Sequence, residues 1–301
     1  MNIQTENRPD GHLGGIGIYE SALRFGDSAE AADCAAEIES LGYTAVWIPD
    51  VEGDLFGAME NLLSGTREIT VASGVMNLWM HDADDSSARY NDLVKQYGPR
   101  IIVGIGASHA PFVDSAEAQR YRKPLTQMRR FLDELDRARP PLARGDRVLA
   151  ALGPKMLELA RHRSAGAHTY LVTPEHTAAA RAVLGTEPLL VPEQGVVLES
   201  DPVVARAIAR QNIALYFDLP NYVNNWRRYG FGDDDVAAPG SDRLIDALVA
   251  WGDESAIIER IQEHRAAGAD HVCLQLMIDR PDATVFPRDA WRRLAPALAE
   301  I

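Results

Sequence analysis

Two histidines and an aspartate stand just past apolar runs, where the chain turns polar: His109 in IIVGIGASHAP (residues 101–111), His176 in LVTPEHT and Asp50 in AVWIPD. Imidazole exchanges protons near neutral pH, so a histidine at the end of a buried strand fits general acid–base work. In parallel α/β proteins ligands bind at the carboxyl ends of strands, which favours a functional reading of such positions. Each histidine fits a packing or capping role equally well, and His176 would fall in the first turn of a helix begun at Thr173 or Pro174. Asp50 could cap a helix, or hold a ring N–H and orient a histidine.

Other segments suit ligands rather than proton transfer. In AALGPKM a strand ends, Gly153 follows, and Pro154 stands at the first position of a helix. The free N–H groups and dipole of that terminus suit a phosphate, with Leu152, Lys155 and Met156 around it. An ordinary strand-to-helix turn would read the same way. In VASGVMNLW, Gly74 followed by Val75, Met76, Asn77 and Trp79 suggests a bulge carrying large side chains. LPNYVNNWRRYGF (residues 219–231), with Tyr222 and Trp226, reads as a packed lid or interface loop. GIGASH lacks the third glycine of a dinucleotide fingerprint, and GxxxxGK[ST], HExxH, GxSxG and His-x-His are absent. Cys34 and Cys273 fit as small core residues, with neither a disulfide framework nor a metal site implied.

These candidates need elements to position them. Apolar strand patterns recur at residues 14–19, 43–48, 68–74, 101–106, 147–151, 167–172, 189–198 and 271–278. Helical patterns alternate with them, at residues 27–41, 86–97, 116–137, 155–163, 175–184, 202–217, 242–251 and 254–267. Such alternation predicts a closed (β/α)8 TIM barrel with insertions at the C-terminal face, an open doubly wound sheet being the alternative. Residues 1–13 read as a flexible extension and 14–301 as one domain. Phe56, Met59, Leu62 and Leu63 have helical spacing and would cover the barrel or form a homodimer patch.

Of 301 residues, 46% are hydrophobic and 25% charged, as in ordinary globular proteins. The net charge of −14 argues against nucleic acid or an anionic membrane as the main partner. No apolar run is long enough to span a bilayer, and MNIQTENRPDGH is no secretory signal, so a cytoplasmic protein is expected.

Taken together, YTAVWIPD, ITVASGVMNLW, RIIVGIGASHAP, RVLAALGPKMLELA, AGAHTYLVTPEHT, LLVPEQGVVLE, LPNYVNNWRRYGF and AGADHVCLQ resemble the bacterial luciferase-like superfamily. They resemble its coenzyme F420-dependent oxidoreductase branch most. The resemblance implies hydride transfer between the deazaflavin and a small organic substrate, with FMN-dependent monooxygenation or an idle cofactor-binding barrel as alternatives. It implies a non-prolyl cis peptide at Gly74–Val75, with Gly74, Val75 and Met76 backing the ring and Gly106, Ala107 and Ser108 beside it. The phosphate would lie at Leu152, Gly153, Pro154, Lys155 and Met156. His109 would be the general acid or base and Asp50 would bind or orient, while Trp79, His176, Tyr222 and Trp226 would shape the substrate pocket. Several F420-dependent relatives carry a histidine where this chain has Val51, so that duty would pass to His109. Luciferase-like barrels usually pair, which implies a homodimer.

Overall fold

The computed structural model describes residues 13–116, 120–279 and 284–298. Its strands, all parallel to their neighbours, are β1 (Ile16–Tyr19), β2 (Ala45–Ile48), β3 (Thr70–Asn77), β4 (Ile101–Gly106), β5 (Arg147–Ala150), β6 (Gly166–Thr169), β7 (Leu189–Val197), β8 (Val249–Trp251) and β9 (Val272–Leu276). Eight of them close a ring, because β6 pairs with β7, β7 with β9, and β9 with β1. The short β8 lies beside only the last residues of β7, with Val249 opposite Gly195. Helices follow the strands around the outside, so the closed (β/α)8 barrel is the observed architecture and the open sheet is not.

Helix starts follow from local chemistry. Asp27, Asp82, Asp201 and Asp253 each accept a first-turn N–H, satisfying donors that a helix cannot pair internally. Phe56, Met59, Leu62 and Leu63 lie on the helix Leu55–Gly65 and are at most 2% exposed in the single chain. They cover the barrel, which leaves them no surface for pairing. Cys34 and Cys273 are buried free thiols. Among the described residues no helix is long and apolar enough to cross a membrane.

Three elements differ from the sequence pattern. The helix expected over residues 116–137 is instead Ala110–Ala116 and Pro124–Arg137. Lys123, left-handed at φ 49°, precedes Pro124, which takes the first turn of the second helix. The helix expected to reach Trp251 stops at Leu248, where β-branched Val249 joins β7. The helix Arg288–Leu298 was not anticipated; it buries Trp291, whose carbonyl accepts the Tyr43 hydroxyl at 2.9 Å.

The floor of the lumen is filled by aromatic rings. Trp47 stacks on His168 with centroids 4.8 Å apart and donates its indole N–H to His271 Nε2 at 3.3 Å. A Cβ at Gly17 would stand 2.5 Å from His271 Nε2, so the floor admits only glycine there. Leu13 packs into the same cluster, while residues 1–12 of the expected extension lie outside the described residues.

The feature that shapes the mouth is a bulge in β3. Ser73 pairs with Val103 and the next pair is Met76 with Ile105, so β3 spends one residue more than β4 over this stretch. The Gly74–Val75 peptide within it is cis. The glycines of β4 make room: a Cβ at Gly104 would meet the Ser73 carbonyl oxygen at 2.2 Å, and one at Gly106 would meet Val75 Cγ2 at 2.4 Å. Gly104→Ala drives its methyl into backbone, which cannot swing aside. The variant is expected to lose about 1–3 kcal/mol in urea unfolding, the usual cost of overpacking. Unchanged stability would show that the bulge does not depend on this clearance.

Candidate functional site

The aspartate at the end of β2 holds a histidine ring, the second of the two roles its position offered, and does not cap a helix. Asp54, not Asp50, caps the helix Leu55–Gly65, accepting the Gly57 N–H at 3.1 Å. Asp50 Oδ2 accepts the Asn77 N–H at 2.8 Å and pairs with His81 Nε2 at 2.8 Å. One carboxylate oxygen thus ties β2 to the end of β3 and orients a histidine, and that histidine is His81 rather than His109. His81 escaped the sequence reading because it lies beyond the strand pattern, next to the helix cap Asp82. Val51, where relatives would carry a histidine, is 66% exposed.

His109 stands one residue after Ser108, whose φ of 54° turns the chain sharply out of β4. Its carbonyl accepts the Phe112 and Val113 N–H groups and starts the helix Ala110–Ala116. Its ring lies 5.5 Å from that of Tyr222 and 5.9 Å from that of Phe112. Burial lowers the affinity of this imidazole for a proton, and a hydrogen bond with Asn221 works in the opposite direction. Nδ1 has no partner among the described residues. The result is a half-buried imidazole, biased toward its neutral form, with one ring nitrogen uncommitted and able to exchange a proton with a bound molecule. Beside it, the Trp79 indole N–H donates to the Ala107 carbonyl at 2.7 Å, lacing the ends of β3 and β4 together.

Asn221 and Tyr222 reach this point on the helix Pro220–Arg228, part of the insertion after β7. Trp226 on the same helix is a correction to the expected pocket wall. It is 1% exposed, and its indole N–H is spent on the Leu171 carbonyl at 3.1 Å, so it anchors the helix. His176 is another correction. Its Nε2 bonds the Leu152 carbonyl at 2.9 Å and its ring packs 5.2 Å from Tyr229, so it braces a turn instead of facing a cleft.

The turn it braces is the expected anion seat. Gly153 caps the helix Pro154–Arg163 without any side-chain hydrogen bond, and Pro154 occupies its first turn. A Cβ at Gly153 would meet no atom within 4 Å, so the space over this terminus is open. Lys155 is exposed beside it, with Leu152 and Met156 half-buried. Room, free N–H groups and a nearby cation fit a phosphate-bearing group there. Gly106, by contrast, has its free side taken by Val75, so it serves the bulge.

The structure adds a cluster that the sequence reading missed. Tyr19, Tyr170, Tyr216 and Gln275 line a cleft of about 420 Å³ over the barrel mouth. The Tyr170 hydroxyl donates to Gln275 Oε1 at 2.6 Å. Below them, Glu193 is buried in the lumen on β7, and its Oε2 accepts the Leu171 N–H at 3.0 Å. Burial pushes its carboxyl up to about 8, the Leu171 N–H opposing. The available signal was a single carboxylate, followed by Gln194, inside the largely apolar run LLVPEQGVV.

The β3 bulge, His109 and the open helix terminus at Gly153 thus share the C-terminal face of a closed parallel barrel. Residues 1–271 match the luciferase-like monooxygenase family, and the chain belongs to that family. No curated protein matches the sequence. The fold is similar to that of an F420-dependent secondary alcohol dehydrogenase solved with an F420–acetone adduct, at TM-score 0.72 and 15% identity over 95% of this chain and 99% of that one. It is also similar to the coenzyme F420-dependent tetrahydromethanopterin reductase of Methanopyrus kandleri, at TM-score 0.67 and 16% identity over 94% and 98% of the two chains. An EDTA monooxygenase from Chelativorans sp. BNC1 matches at TM-score 0.70 and 12% identity, over 96% and 94%.

Proposed function

We propose that this chain is an F420-dependent oxidoreductase that transfers hydride between the deazaflavin and a small organic substrate. The joint placement of the 74–76 bulge and the open helix terminus at Gly153 on one face of the barrel supports a ring cofactor with a phosphate, and the likeness to the two F420-dependent enzymes favours F420. Gly74, Val75 and Met76 would back the ring, Ala107 and Ser108 would flank it, and Gly153, Pro154, Lys155 and Met156 would hold the phosphate. When bound, the cofactor supplies hydride chemistry at its C5 carbon. His109 would give or take the accompanying proton at its ring nitrogen, and Asp50 would hold His81 and the end of β3 in place. Trp79 and Tyr222 would border the substrate, with the helix Pro220–Arg228 excluding water from it.

An FMN-dependent monooxygenase is the second reading, favoured by the likeness to the EDTA monooxygenase. The helix terminus suits either cofactor's phosphate, so the choice falls to titration. Parallel titrations of the purified protein are expected to give tighter binding of F420 than of FMN. FMN binding at least about tenfold tighter, some 1.4 kcal/mol, would overturn the F420 assignment.

His109 generates a separate test. General acid–base help is worth about 10²–10⁴-fold in rate, so His109→Ala should lower turnover by about that factor while leaving cofactor affinity nearly unchanged. His109→Gln, which hydrogen-bonds but shuttles no proton, should be almost as impaired. Near-full turnover in either variant would make His109 a structural residue.

A further inference from the structure

Two hydrogen-bond donors at the barrel mouth are left without partners among the described residues. Tyr19 on β1 and Gln275 on β9 stand opposite one another in the parallel register of the two strands, so their side chains share one face of the sheet. Both line the cleft of about 420 Å³ over the mouth. The Tyr170 hydroxyl donates to Gln275 Oε1 at 2.6 Å, which fixes the amide and leaves its Nε2 hydrogens unspent. Neither that nitrogen nor the Tyr19 hydroxyl is among the polar atoms sealed from solvent without a partner, so both open on the cleft. Burial pushes the Tyr19 hydroxyl up, and it keeps its hydrogen across the ordinary pH range.

Tyr19 also sets where these donors stand. A Cβ at Gly74 would come within 2.9 Å of Tyr19 Cε2, so the ring presses on the β3 bulge while its hydroxyl meets the cleft. The wall continues through aromatic rings, with Tyr170 at 5.7 Å from Tyr19 and Tyr216 at 5.3 Å from Tyr170. Such walls hold an apolar body beside the polar pair.

Two neighbouring donors suit an oxygen with two lone pairs. A carbonyl and a carboxylate both offer one, and charge separates them. The lining side chains are uncharged. The residues next to them in sequence carry both signs, Glu20, Asp50, Glu52 and Asp279 against Arg24 and Arg210. Arg24 donates to the Glu52 carbonyl, and Arg210 to the Gly240 carbonyl and to Asp242. With both cations engaged there, a carboxylate would lose its hydration without gaining a counter-ion.

We propose that Tyr19 and Gln275 form a seat for the carbonyl oxygen of an uncharged substrate, and that this pair sets the preference for carbonyl compounds. The seat lies beside Gly74, so an oxygen held there keeps its carbon close to the bulge. The proposal rests on reading this face as the substrate side of the proposed oxidoreductase. It requires no cofactor to be bound, so it is tested apart from the cofactor assignment.

The test is calorimetric titration of the full-length protein, with and without F420, using three probes. These are cyclohexanone, methylenecyclohexane, in which CH2 replaces the oxygen, and cyclohexanecarboxylate. Cyclohexanone is expected to bind at least about tenfold tighter than either, because a site built around donors rejects a ligand that leaves them unpaired. Tyr19→Phe keeps the ring on Gly74 and removes one donor. It should weaken cyclohexanone by about tenfold and leave methylenecyclohexane within about twofold. Gln275→Glu keeps an acceptor for Tyr170 but puts a carboxylate in place of the second donor, and should weaken cyclohexanone at least as much. Hydrocarbon or carboxylate binding as tight as the ketone, or no ketone binding in either state, would overturn the substrate class. Equal losses for ketone and hydrocarbon in Tyr19→Phe, or no loss, would overturn the seat. The wild-type comparison decides the class even if a variant fails to fold, and a preference for FMN over F420 leaves each of these outcomes standing.

Discussion

The mouth of this barrel depends on an absence of side chains on β4. Gly104 and Gly106 leave space that Ser73 and Val75 of β3 occupy, with an added Cβ coming within 2.2 Å and 2.4 Å of them. Close packing leaves no slack for a bulge next to an ordinary strand. Given the two glycines, β3 can carry one extra residue, and the ladder resumes at Met76 and Asn77 before Trp79 follows at the mouth. From there the other contacts follow in sequence. Asn77 reaches Asp50, which holds His81, and Trp79 reaches the Ala107 carbonyl, which sets where Ser108 turns the chain and presents His109.

A second constraint is polarity inside the lumen. Most parallel barrels fill this space with branched apolar side chains. Here Trp47, His168, His271 and Glu193 take it, and the buried imidazoles and carboxyl are held neutral by the cost of desolvating charge. Backbone partners fix them: His168 bonds the Val191 carbonyl and Glu193 the Leu171 N–H. Leu171, left-handed at φ 50°, also offers its carbonyl to Trp226, so the lumen carboxyl and the mouth helix share one residue as their anchor. The polar interior and the cover of the mouth are therefore one mechanical unit.

The barrel was legible because its strands are short apolar runs separated by helical patterns, a signal that burial on both strand faces produces directly. The bulge was legible because Gly74 and the β4 glycines are visible as letters. The roles of His176 and Trp226 were not, since each turns on which backbone group its polar atom meets across the fold, and the ring that Asp50 holds belongs to His81, which no local spacing singles out. His176 looked like a pocket residue by position, yet its partner is the Leu152 carbonyl, 24 residues away. The tyrosine-walled cleft was invisible for a related reason: Tyr19, Tyr170, Tyr216 and Gln275 come from four separate elements, and no local spacing connects them.

The proposed site sets a ring against the β3 bulge and its phosphate at the helix terminus of Gly153, both on one face of the barrel. A crystal structure of the protein soaked with F420 tests it most directly. The deazaflavin ring is expected to pack on Gly74, Val75 and Met76, with the phosphate accepting the N–H groups of Gly153 and Lys155. A phosphate bound elsewhere on the barrel, or a ring that leaves the bulge uncovered, would contradict it.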